Sequence, residues 1–455
     1  MEEEVKQEEA PLFTGVRGLA VKILNRIDRT DAYLDKLLDT EIKQSDFSGV
    51  DKALLFELVH GVMRMLNRID WVLNGFYKGQ FSKAIPNIKN ALRVALYQIL
   101  FLEKIPDYAA VNEAVEFIKK AQGQKAADLT NAILRNIIRS KDTIRYPDPA
   151  EDITVYFSVF YSHPIWLVKR WLNRYGQEFT EQLLISNNNK PTLNLRVNSL
   201  VTNIDELKSL LDKVELKYKD GLYLNDFLRM ANLSNIADWE YFAKGYFSIQ
   251  DESTGIPVSL LDVKPGDRIL DLCAAPGGKT AYMSAKTENK GEIVALDKYE
   301  SRIKVLQKNL SRLKVSNVKY IEADALEYKD SELFDKILLD APCSGLGTLT
   351  KKPDLKWKRE LMDLKKLADL QYKLLEKGAS LLKIGGDLVY STCTIEPEEN
   401  NEIVNRFLLE HNGYVLESAE GLINEKLVTK EGFVQALPNI HGIDGSFSAK
   451  IKRIY

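Results

Sequence analysis

The 455-residue sequence contains only three cysteines and no uninterrupted apolar run of roughly 18 residues, the length that a membrane-spanning helix needs. Few cysteines without paired spacing are typical of a reducing compartment rather than of a disulfide-linked secreted protein. A structural zinc site normally has four ligands, but the four histidines are scattered at positions 60, 163, 411 and 441. We therefore expect a cytoplasmic protein with no membrane segment and no metal.

An excess of charge of one sign is also lacking. The chain has 63 lysines and arginines against 65 aspartates and glutamates, which gives a formal net charge of −2. A nucleic-acid partner would have to be met by local basic patches, because there is no global positive field. The acidic N-terminus has no apolar segment and does not resemble a secretory signal. The length is enough for roughly three domains.

The N-terminal region, residues 11–146, predicts an all-α bundle. Apolar residues such as Leu58 and Val62 recur there at helical spacing, and no strand pattern interrupts them. Asp51 is a candidate N-cap for one helix, and Pro86 precedes another. Prolines after Tyr146 end the helical region.

The middle region, residues 150–240, predicts a small α+β domain. It contains helical runs and one alternating segment, Thr192 to Asn198, with leucines and valine on one face and polar residues on the other. That alternation is typical of a half-buried strand. Asn203 is the predicted N-cap of the helix that follows.

The C-terminal region, residues 241–455, predicts a mostly parallel sheet covered by helices on both faces. Apolar runs ending near Asp271, Asp297, Ile321, Asp340 and Tyr390 alternate with helical segments. In such sheets ligands bind at the carboxyl ends of the strands, which is where the chemically interesting residues of this sequence lie.

A glycine-rich turn, Cys273 to Lys279, joins the first of these strands to a helix. It has neither the dinucleotide-binding pattern nor the P-loop spacing, so phosphate binding is a weak interpretation. Aspartates end this strand and the following ones, at positions 271, 297, 324 and 340. A single aspartate would more simply cap a helix or turn. Four in register with a glycine turn favour a ligand with ribose, adenine and a cationic amino-acid tail, namely S-adenosylmethionine.

Cys343 and Cys393 each follow a predicted buried strand, downstream of that turn. A thiolate that adds to C6 of a pyrimidine makes C5 nucleophilic enough to accept a methyl group, which is covalent catalysis. Either cysteine could supply the thiolate, and Asp340 is placed to stabilise charge on the ring. A disulfide between them is disfavoured in a reducing cytosol, and inert packing is the common fate of a lone cysteine. Inert packing is our expectation for Cys273 alone.

Segments of both halves resemble known families. Residues 270–280, 339–345 and 390–394 resemble the signature motifs of RNA cytosine-5 methyltransferases of the NOL1/NOP2/Sun family. Residues 92–100, 111–115 and 131–135 resemble a NusB-like RNA-binding domain. The resemblance implies a multidomain protein with a NusB-like helical bundle, a small α+β domain and a Rossmann-like S-adenosylmethionine methyltransferase domain.

The resemblance also implies roles for individual residues. Cys393 would be the nucleophile, Cys343 would assist release of the product, and Asp340 and Lys279 would contact the target base. The implied cofactor site consists of Cys273, Ala274, Ala275, Pro276, Gly277, Gly278, Lys279, Asp297, Asp324 and Asp340. Family members that combine this domain with a NusB-like domain methylate a cytosine of 16S ribosomal RNA, free or in a partly assembled subunit. We expect a monomer.

A basic segment beside Cys343 is the predicted RNA contact. Its lysines and arginine can neutralise phosphates, and its tryptophan offers a stacking face. The residues are Lys351, Lys352, Lys356, Trp357, Lys358 and Arg359. A charge run is usually only a solvated face, which leaves that interpretation open. Arg93 and Arg196 are weaker candidates for RNA contact.

Two further functions stay open. One is an RNA-binding assembly factor whose methyltransferase fold is idle, which the presence of both cysteines disfavours. The other keeps the same chemistry but acts on tRNA or 23S ribosomal RNA.

Overall fold

The structure is a computed structural model that describes residues 12–230 and 239–455. It divides into two compact units, of which the first runs to Asn188 and also includes Lys352–Lys358. The second comprises Asn189–Lys351 and Arg359–Tyr455. Within the described ranges, no helix is both long enough and apolar enough to traverse a bilayer.

In the described residues, 12–188 and 352–358, the first unit consists of helices and connecting loops. Its helices are α1 Gly15–Ile27, α2 Leu34–Lys43, α3 Gly49–Arg64, α4 Leu66–Phe76, α5 Pro86–Phe101, α6 Asp107–Gln122, α7 Gln124–Arg139, α8 Ile153–Phe160, α9 Ile165–Tyr175, α10 Gln177–Asn188 and the short α16 Leu355–Lys358. The predicted helical spacing is confirmed, since Leu58 and Val62 are fully buried in its core. Pro86 occupies the first turn of α5, where its missing N–H has no partner to lose.

Helix α3 begins three residues earlier than Asp51 would suggest. Ser48 is its N-cap: the Ser48 hydroxyl accepts the backbone N–H of Asp51, and the Asp51 carboxylate accepts the N–H of Ser48. The expectation that Asp51 is the cap is therefore wrong. Its carboxylate is the reciprocal half of a capping box, whose two members share the unpaired N–H groups of the first turn.

The second unit opens with a four-stranded antiparallel sheet. Its strands are β1 Leu193–Val197, β2 Tyr218–Asp220, β3 Phe227–Met230 and β4 Phe247–Ile249, in the order β2-β3-β1-β4. Helix α11 Ile204–Lys213 follows β1, and its predicted cap is confirmed, because the Asn203 side chain accepts the N–H of Glu206. Helix α12 Glu240–Ala243 precedes β4.

Strand β1 is not half-buried as its alternation predicts. The side chains of its polar face are as inaccessible as the leucines, with Asn194 5% and Arg196 1% exposed. Hydrogen bonds replace water there: Asn194 Nδ2 donates to Asp251 at 2.9 Å, and Arg196 Nε donates to Gln250 Oε1 at 2.7 Å. Binary patterning shows that a residue is polar, but not whether a protein partner covers it.

Eight strands of the described chain form the main sheet, in the order β10-β12-β9-β8-β5-β6-β7 with β11 paired to β12. They are β5 Arg268–Asp271, β6 Glu292–Asp297, β7 Val318–Glu322, β8 Phe334–Asp340, β9 Leu382–Thr392, β10 Tyr414–Glu417, β11 Val434–Ala436 and β12 Ser446–Arg453. The accompanying helices are α13 Ile256–Leu261, α14 Gly278–Lys286, α15 Glu300–Arg312, α17 Leu361–Ser380, α18 Asn401–Glu410 and α19 Pro438–His441. Strands β5 to β9 pair in parallel, and β10 to β12 pair antiparallel.

This topology places a ligand crevice at β5. The chain continues from β5 to β6 on one side and returns to β8 on the other, so the strand order reverses there. Doubly wound sheets bind ligands at the carboxyl ends of strands at such a reversal. The predicted fold class, a helical bundle, a small α+β domain and a Rossmann-like domain, is confirmed.

The compact units do not follow the predicted domain limits of 11–146, 150–240 and 241–455. The division at Asn188 groups α8, α9 and α10 with the helical bundle and leaves β1 to β4 with the main sheet. The three ranges stay predictions.

Candidate active site

Two thiol groups lie in contact at the carboxyl edge of the main sheet. Cys343 is in the loop after β8 and Cys393 directly follows β9, and these two strands are neighbours. The two Sγ atoms are 3.1 Å apart, and the backbone N–H of Cys393 donates to Cys343 Sγ at 3.3 Å. Neither cysteine is in a disulfide, and both are partly exposed.

The contact between the sulfur atoms couples the ionisation of the two thiols. The hydrogen bond with Cys393 and, after it, burial raise the pKa of the Cys343 thiol well above its ordinary value. Either sulfur can be the S–H donor toward its neighbour, so the pair can share one proton. A protonated thiol beside a second sulfur suits proton transfer more than nucleophilic attack, because only the thiolate is the nucleophile.

Asp340 ends β8 beside the thiols, and both of its carboxylate oxygens are engaged. Lys279 Nζ donates to Asp340 Oδ2 at 2.6 Å, and the Ser391 hydroxyl donates to Oδ1 at 3.0 Å. Burial lowers the pKa of the Lys279 ammonium, but attraction to Asp340 and to Cys393 outweighs burial and holds that pKa above its ordinary value. The site therefore carries a fixed ion pair next to the two sulfurs.

The glycine turn between β5 and α14 is tied to its surroundings through its backbone. The N–H of Ala274 donates to Leu296 O at 2.8 Å, Arg302 Nη2 donates to Ala275 O at 2.7 Å, and Asn309 Nδ2 donates to Pro276 O at 2.9 Å. Gly277 has a φ of +100°, a conformation that favours glycine. A turn whose carbonyls are satisfied in this way presents a rigid, small-residue surface toward the crevice.

Of the strand-end acids, Asp297 and Asp324 stand at the ends of β6 and β7. The Asp297 carboxylate is nearly buried, accepts the N–H of Tyr299 at 3.3 Å, and lies 3.4 Å from Arg302 Nη1. Asp324 is partly exposed and pairs with Lys298 at 2.9 Å. Carboxylates at these two strand ends, beside a glycine turn, match the donors of a ribose and of an adenine amino group.

Asp271 is buried behind the turn and does not reach the crevice. Its carboxylate accepts the Thr280 hydroxyl at 2.7 Å, and burial raises its pKa to about 7. Cys273 packs against the core of the sheet, and burial followed by the nearby Asp271 raises the pKa of its thiol. An un-ionised, packed thiol is consistent with the inert role expected for Cys273.

The predicted RNA segment is divided between the two units. In the second unit, the Lys351 ammonium binds the carboxylates of Asp251 and Asp444. Arg359, also in the second unit, donates from Nε to the carbonyl of Ser344 at 3.0 Å. Both side chains are thus already held by protein groups.

The intervening residues are part of the helical unit. Lys356 is 1% exposed and donates to the carbonyl of Arg64 at 2.9 Å. Trp357 donates from Nε1 to Met63 O at 2.6 Å and packs on the helical core, and Lys358 donates to the carbonyl of Ala32. Of the six predicted contacts, Lys352 alone is exposed, whereas the others are buried or partly buried. The interpretation of the segment as an open RNA surface is not supported by these contacts.

Arg93, another candidate for RNA contact, is also satisfied internally. It is 8% exposed, and its guanidinium pairs with Asp70 at 2.6 Å and with Asp28 at 3.2 Å. Sequence reasoning missed Ser391, which binds Asp340, and Glu399, which binds Ser344 beside Cys343. A buried serine or glutamate carries no pattern that separates it from an exposed one.

No cluster of three or more histidine, cysteine or acidic side chains is arranged to hold a metal ion in the described parts of the chain.

Comparison with known proteins identifies the family. Models of three families match successive parts of the chain: NusB at residues 14–139, the RsmF/B-like ferredoxin-like domain at 163–237, and the 16S rRNA methyltransferase RsmB/F at 258–452. The probable ribosomal RNA small subunit methyltransferase B of Bacillus subtilis (strain 168) is 36% identical over 447 residues, covering 97% of this chain and 99% of its own. The chain belongs to this methyltransferase family.

A second curated relative and two solved structures are also similar to this chain. The protein of Serratia proteamaculans (strain 568) is 33% identical and covers 90% of this chain and 92% of its own. The crystal structure of PH0851 aligns with a TM-score of 0.82 at 26% identity, over 98% of this chain and 99% of that one. NSun6 from Pyrococcus horikoshii with SFG aligns with a TM-score of 0.56 at 25% identity, over 63% and 97%.

Proposed function

We propose that this methyltransferase forms 5-methylcytosine in 16S ribosomal RNA, through a covalent bond between Cys393 and C6 of the cytosine. The observation that carries the proposal is the contact of two thiols beside the Lys279–Asp340 pair at the strand-order reversal. Two thiols suit this chemistry because one can bond to the base while the second assists its release. Single-cysteine chemistry would leave Cys343 without a role.

The reaction follows from the poor nucleophilicity of cytosine C5. The thiolate of Cys393 adds to C6, which makes C5 an enamine carbon that takes up the methyl group. A base then removes the C5 proton, and elimination restores the ring and frees the sulfur of Cys393. Asp340, oriented by Lys279 and Ser391, would hold the N3/N4 edge of the base, and Lys279 would balance charge that develops on the ring.

The Cys343 thiol is proposed to assist the release step. Its sulfur lies 3.1 Å from the sulfur of Cys393, so that an S–H group on Cys343 would be placed to stabilise the departing thiolate. Proton donation to a leaving group is general acid catalysis. Removal of this donor is expected to leave bond formation intact but to trap the protein on the RNA.

S-adenosylmethionine is the proposed methyl donor, and when bound it supplies an electrophilic methyl group on a sulfonium. The turn from Cys273 to Lys279, together with Asp297, Asp324 and Asp340, would hold it. Gly277 fixes the shape of this turn, since a Cβ there would lie 2.4 Å from Leu306 Cδ1. SFG, present in the structure of NSun6, is an analogue of S-adenosylmethionine.

The substrate assignment rests on the names of the relatives and on the NusB match. We propose that the helical unit and Lys352 contribute to RNA binding. The cytoplasmic location and monomeric state expected from the sequence stay predictions.

The test measures transfer of a tritiated methyl group from S-adenosylmethionine into 16S ribosomal RNA that lacks the modification. Label is expected at C5 of a cytosine, and Cys393→Ala is expected to abolish it. Full turnover by Cys393→Ala would refute the nucleophile assignment. Absence of label with the parent chain would favour the idle assembly factor, and label only in tRNA or 23S RNA would change the target.

A further inference from the structure

A buried glutamate, Glu399, ties down the loop that carries Cys343 but takes no part in the proposed chemistry. Its side chain is inaccessible to solvent. Glu399 Oε1 accepts the backbone N–H of Ser344 at 2.8 Å and Gln371 Nε2 at 3.0 Å, and Oε2 accepts the Ser344 hydroxyl at 2.5 Å. Three donors thus converge on one carboxylate, and such charge-assisted hydrogen bonds are stronger than neutral ones.

These bonds hold the chain on both sides of Cys343. Ser344, its neighbour on one side, binds Glu399 through both its N–H and its hydroxyl. Pro342, its neighbour on the other side, is held through its carbonyl, which accepts Gln371 Nε2 at 2.9 Å while that side chain also binds Glu399. The position of the Cys343 thiol therefore depends on this carboxylate.

The two cysteines differ in how they are held. Cys393 directly follows β9, which pairs with β8 on one side and β12 on the other, so the sheet fixes the end of that strand. Cys343 lies in an irregular loop, beyond the end of β8 at Asp340. Loss of the Glu399 carboxylate should therefore displace Cys343 much more than Cys393.

We propose that Glu399 is a positioning residue for the release step, holding the Cys343 thiol against the sulfur of Cys393. This inference rests on the proposed function. The Ser344 hydroxyl also lies 2.8 Å from the Thr394 hydroxyl, next to Cys393, so the same network spans both loops. The Glu399 carboxylate makes no hydrogen bond to either sulfur; it holds the Cys343 loop through Ser344 and Gln371, and it also binds the Thr394 side chain.

The test is a single-turnover experiment on the full chain with both cysteines present. Glu399→Ala, Glu399→Gln and the control Glu402→Gln are mixed with unmodified 16S ribosomal RNA and tritiated S-adenosylmethionine, then quenched in denaturant. Glu402 is exposed on α18, so its change to glutamine alters the same functional group without touching the network. The readouts are the rate of methyl transfer and the rate at which the covalent protein–RNA adduct disappears.

Glu399→Ala is expected to slow adduct release at least about tenfold while methyl transfer changes by less than about twofold, since only Cys343 is displaced. Glu399→Gln keeps a carbonyl acceptor for Ser344 N–H and Gln371, so its release should be slowed less than that of Glu399→Ala and more than that of Glu402→Gln. If Glu399→Ala does not fold, slower release by Glu399→Gln supports the inference alone.

Equal slowing of both steps in the Glu399 variants would mean a general loosening of the site and would overturn the inference. Release as fast as in the parent would also overturn it. Cys343→Ala, measured in parallel, separates this failure from that of the proposed function. If Cys343→Ala forms no adduct, the proposed function fails; if it traps adduct while the Glu399 variants release promptly, only the positioning role fails.

Discussion

Replacement of Gly277 by alanine tests whether the turn before α14 keeps its conformation because residue 277 has no side chain. Gly277 has a φ of +100°, and its Cβ would lie 2.4 Å from Leu306 Cδ1, a side chain fully buried under the turn. Gly266 is the matched control, because its φ is +99° and nothing lies within 4 Å of its Cβ position. Both substitutions thus place an alanine at a positive φ, but only Gly277→Ala also brings a Cβ into a steric clash.

The backbone cost of a left-handed alanine is about 1–2 kcal/mol, which we expect for both variants. Overpacking of a buried site adds about 1–3 kcal/mol, which we expect for Gly277→Ala alone. At roughly 2–4 °C per kcal/mol for a unit of this size, Gly277→Ala should melt about 2–12 °C below Gly266→Ala. The same shift of the turn should weaken S-adenosylmethionine binding, and Gly266→Ala should bind it as the parent does.

Differential scanning calorimetry and titration calorimetry measure these two effects. Equal melting temperatures for the two alanine variants would refute the packing argument. Parent-like affinity of Gly277→Ala for S-adenosylmethionine would refute the placement of the ligand against this turn.

Two further predictions concern charge. The pKa of Asp271 is raised to about 7 by burial, so its stabilising contribution is complete below about pH 4 and is lost as the pH rises through 7. The free energy of unfolding of Asp271→Asn, measured relative to the parent by calorimetry, should therefore rise by roughly 4 kcal/mol between pH 4 and pH 8. A difference in unfolding free energy that does not change with pH would contradict this reasoning. The second prediction compares the salt dependence of RNA affinity in two variants. Lys352→Ala should reduce the slope of log affinity against log salt concentration by about 0.7–0.9, whereas Lys356→Met should leave that slope unchanged. The reverse pattern would contradict the burial of Lys356.

Much of the catalytic fold can be predicted from the sequence because parallel buried strands are continuous apolar runs. The strands ending at Asp271, Asp297 and Asp340 stand where their runs predict them. Strand β9 is longer than its apolar run, since it begins at Leu382 and continues through Gly385 and Gly386, residues that strands usually lack. Its pairing with two neighbours decides that length, and pairing is not a local property of the chain.

The candidate site was predictable in its membership but not in its contacts. That Cys343 and Cys393 end neighbouring strands is suggested by their place in the sequence, but the 3.1 Å between their sulfurs depends on a loop held by Glu399. In the basic segment, the structure shows other partners than the sequence suggests. The sequence predicts that Lys356 contacts a phosphate, but in the structure Lys356 donates to the carbonyl of Arg64, which is far away along the chain. Such long-range burial has no local signature.

The most direct test of the cysteine mechanism is the mass of the protein–RNA species formed by each single-cysteine variant with S-adenosylmethionine. Cys343→Ala is expected to accumulate a denaturation-resistant adduct, with the RNA attached to the peptide that contains Cys393. Cys393→Ala and the double variant should form none. An adduct formed by Cys393→Ala, or its absence from Cys343→Ala under conditions in which the parent methylates RNA, would contradict the account.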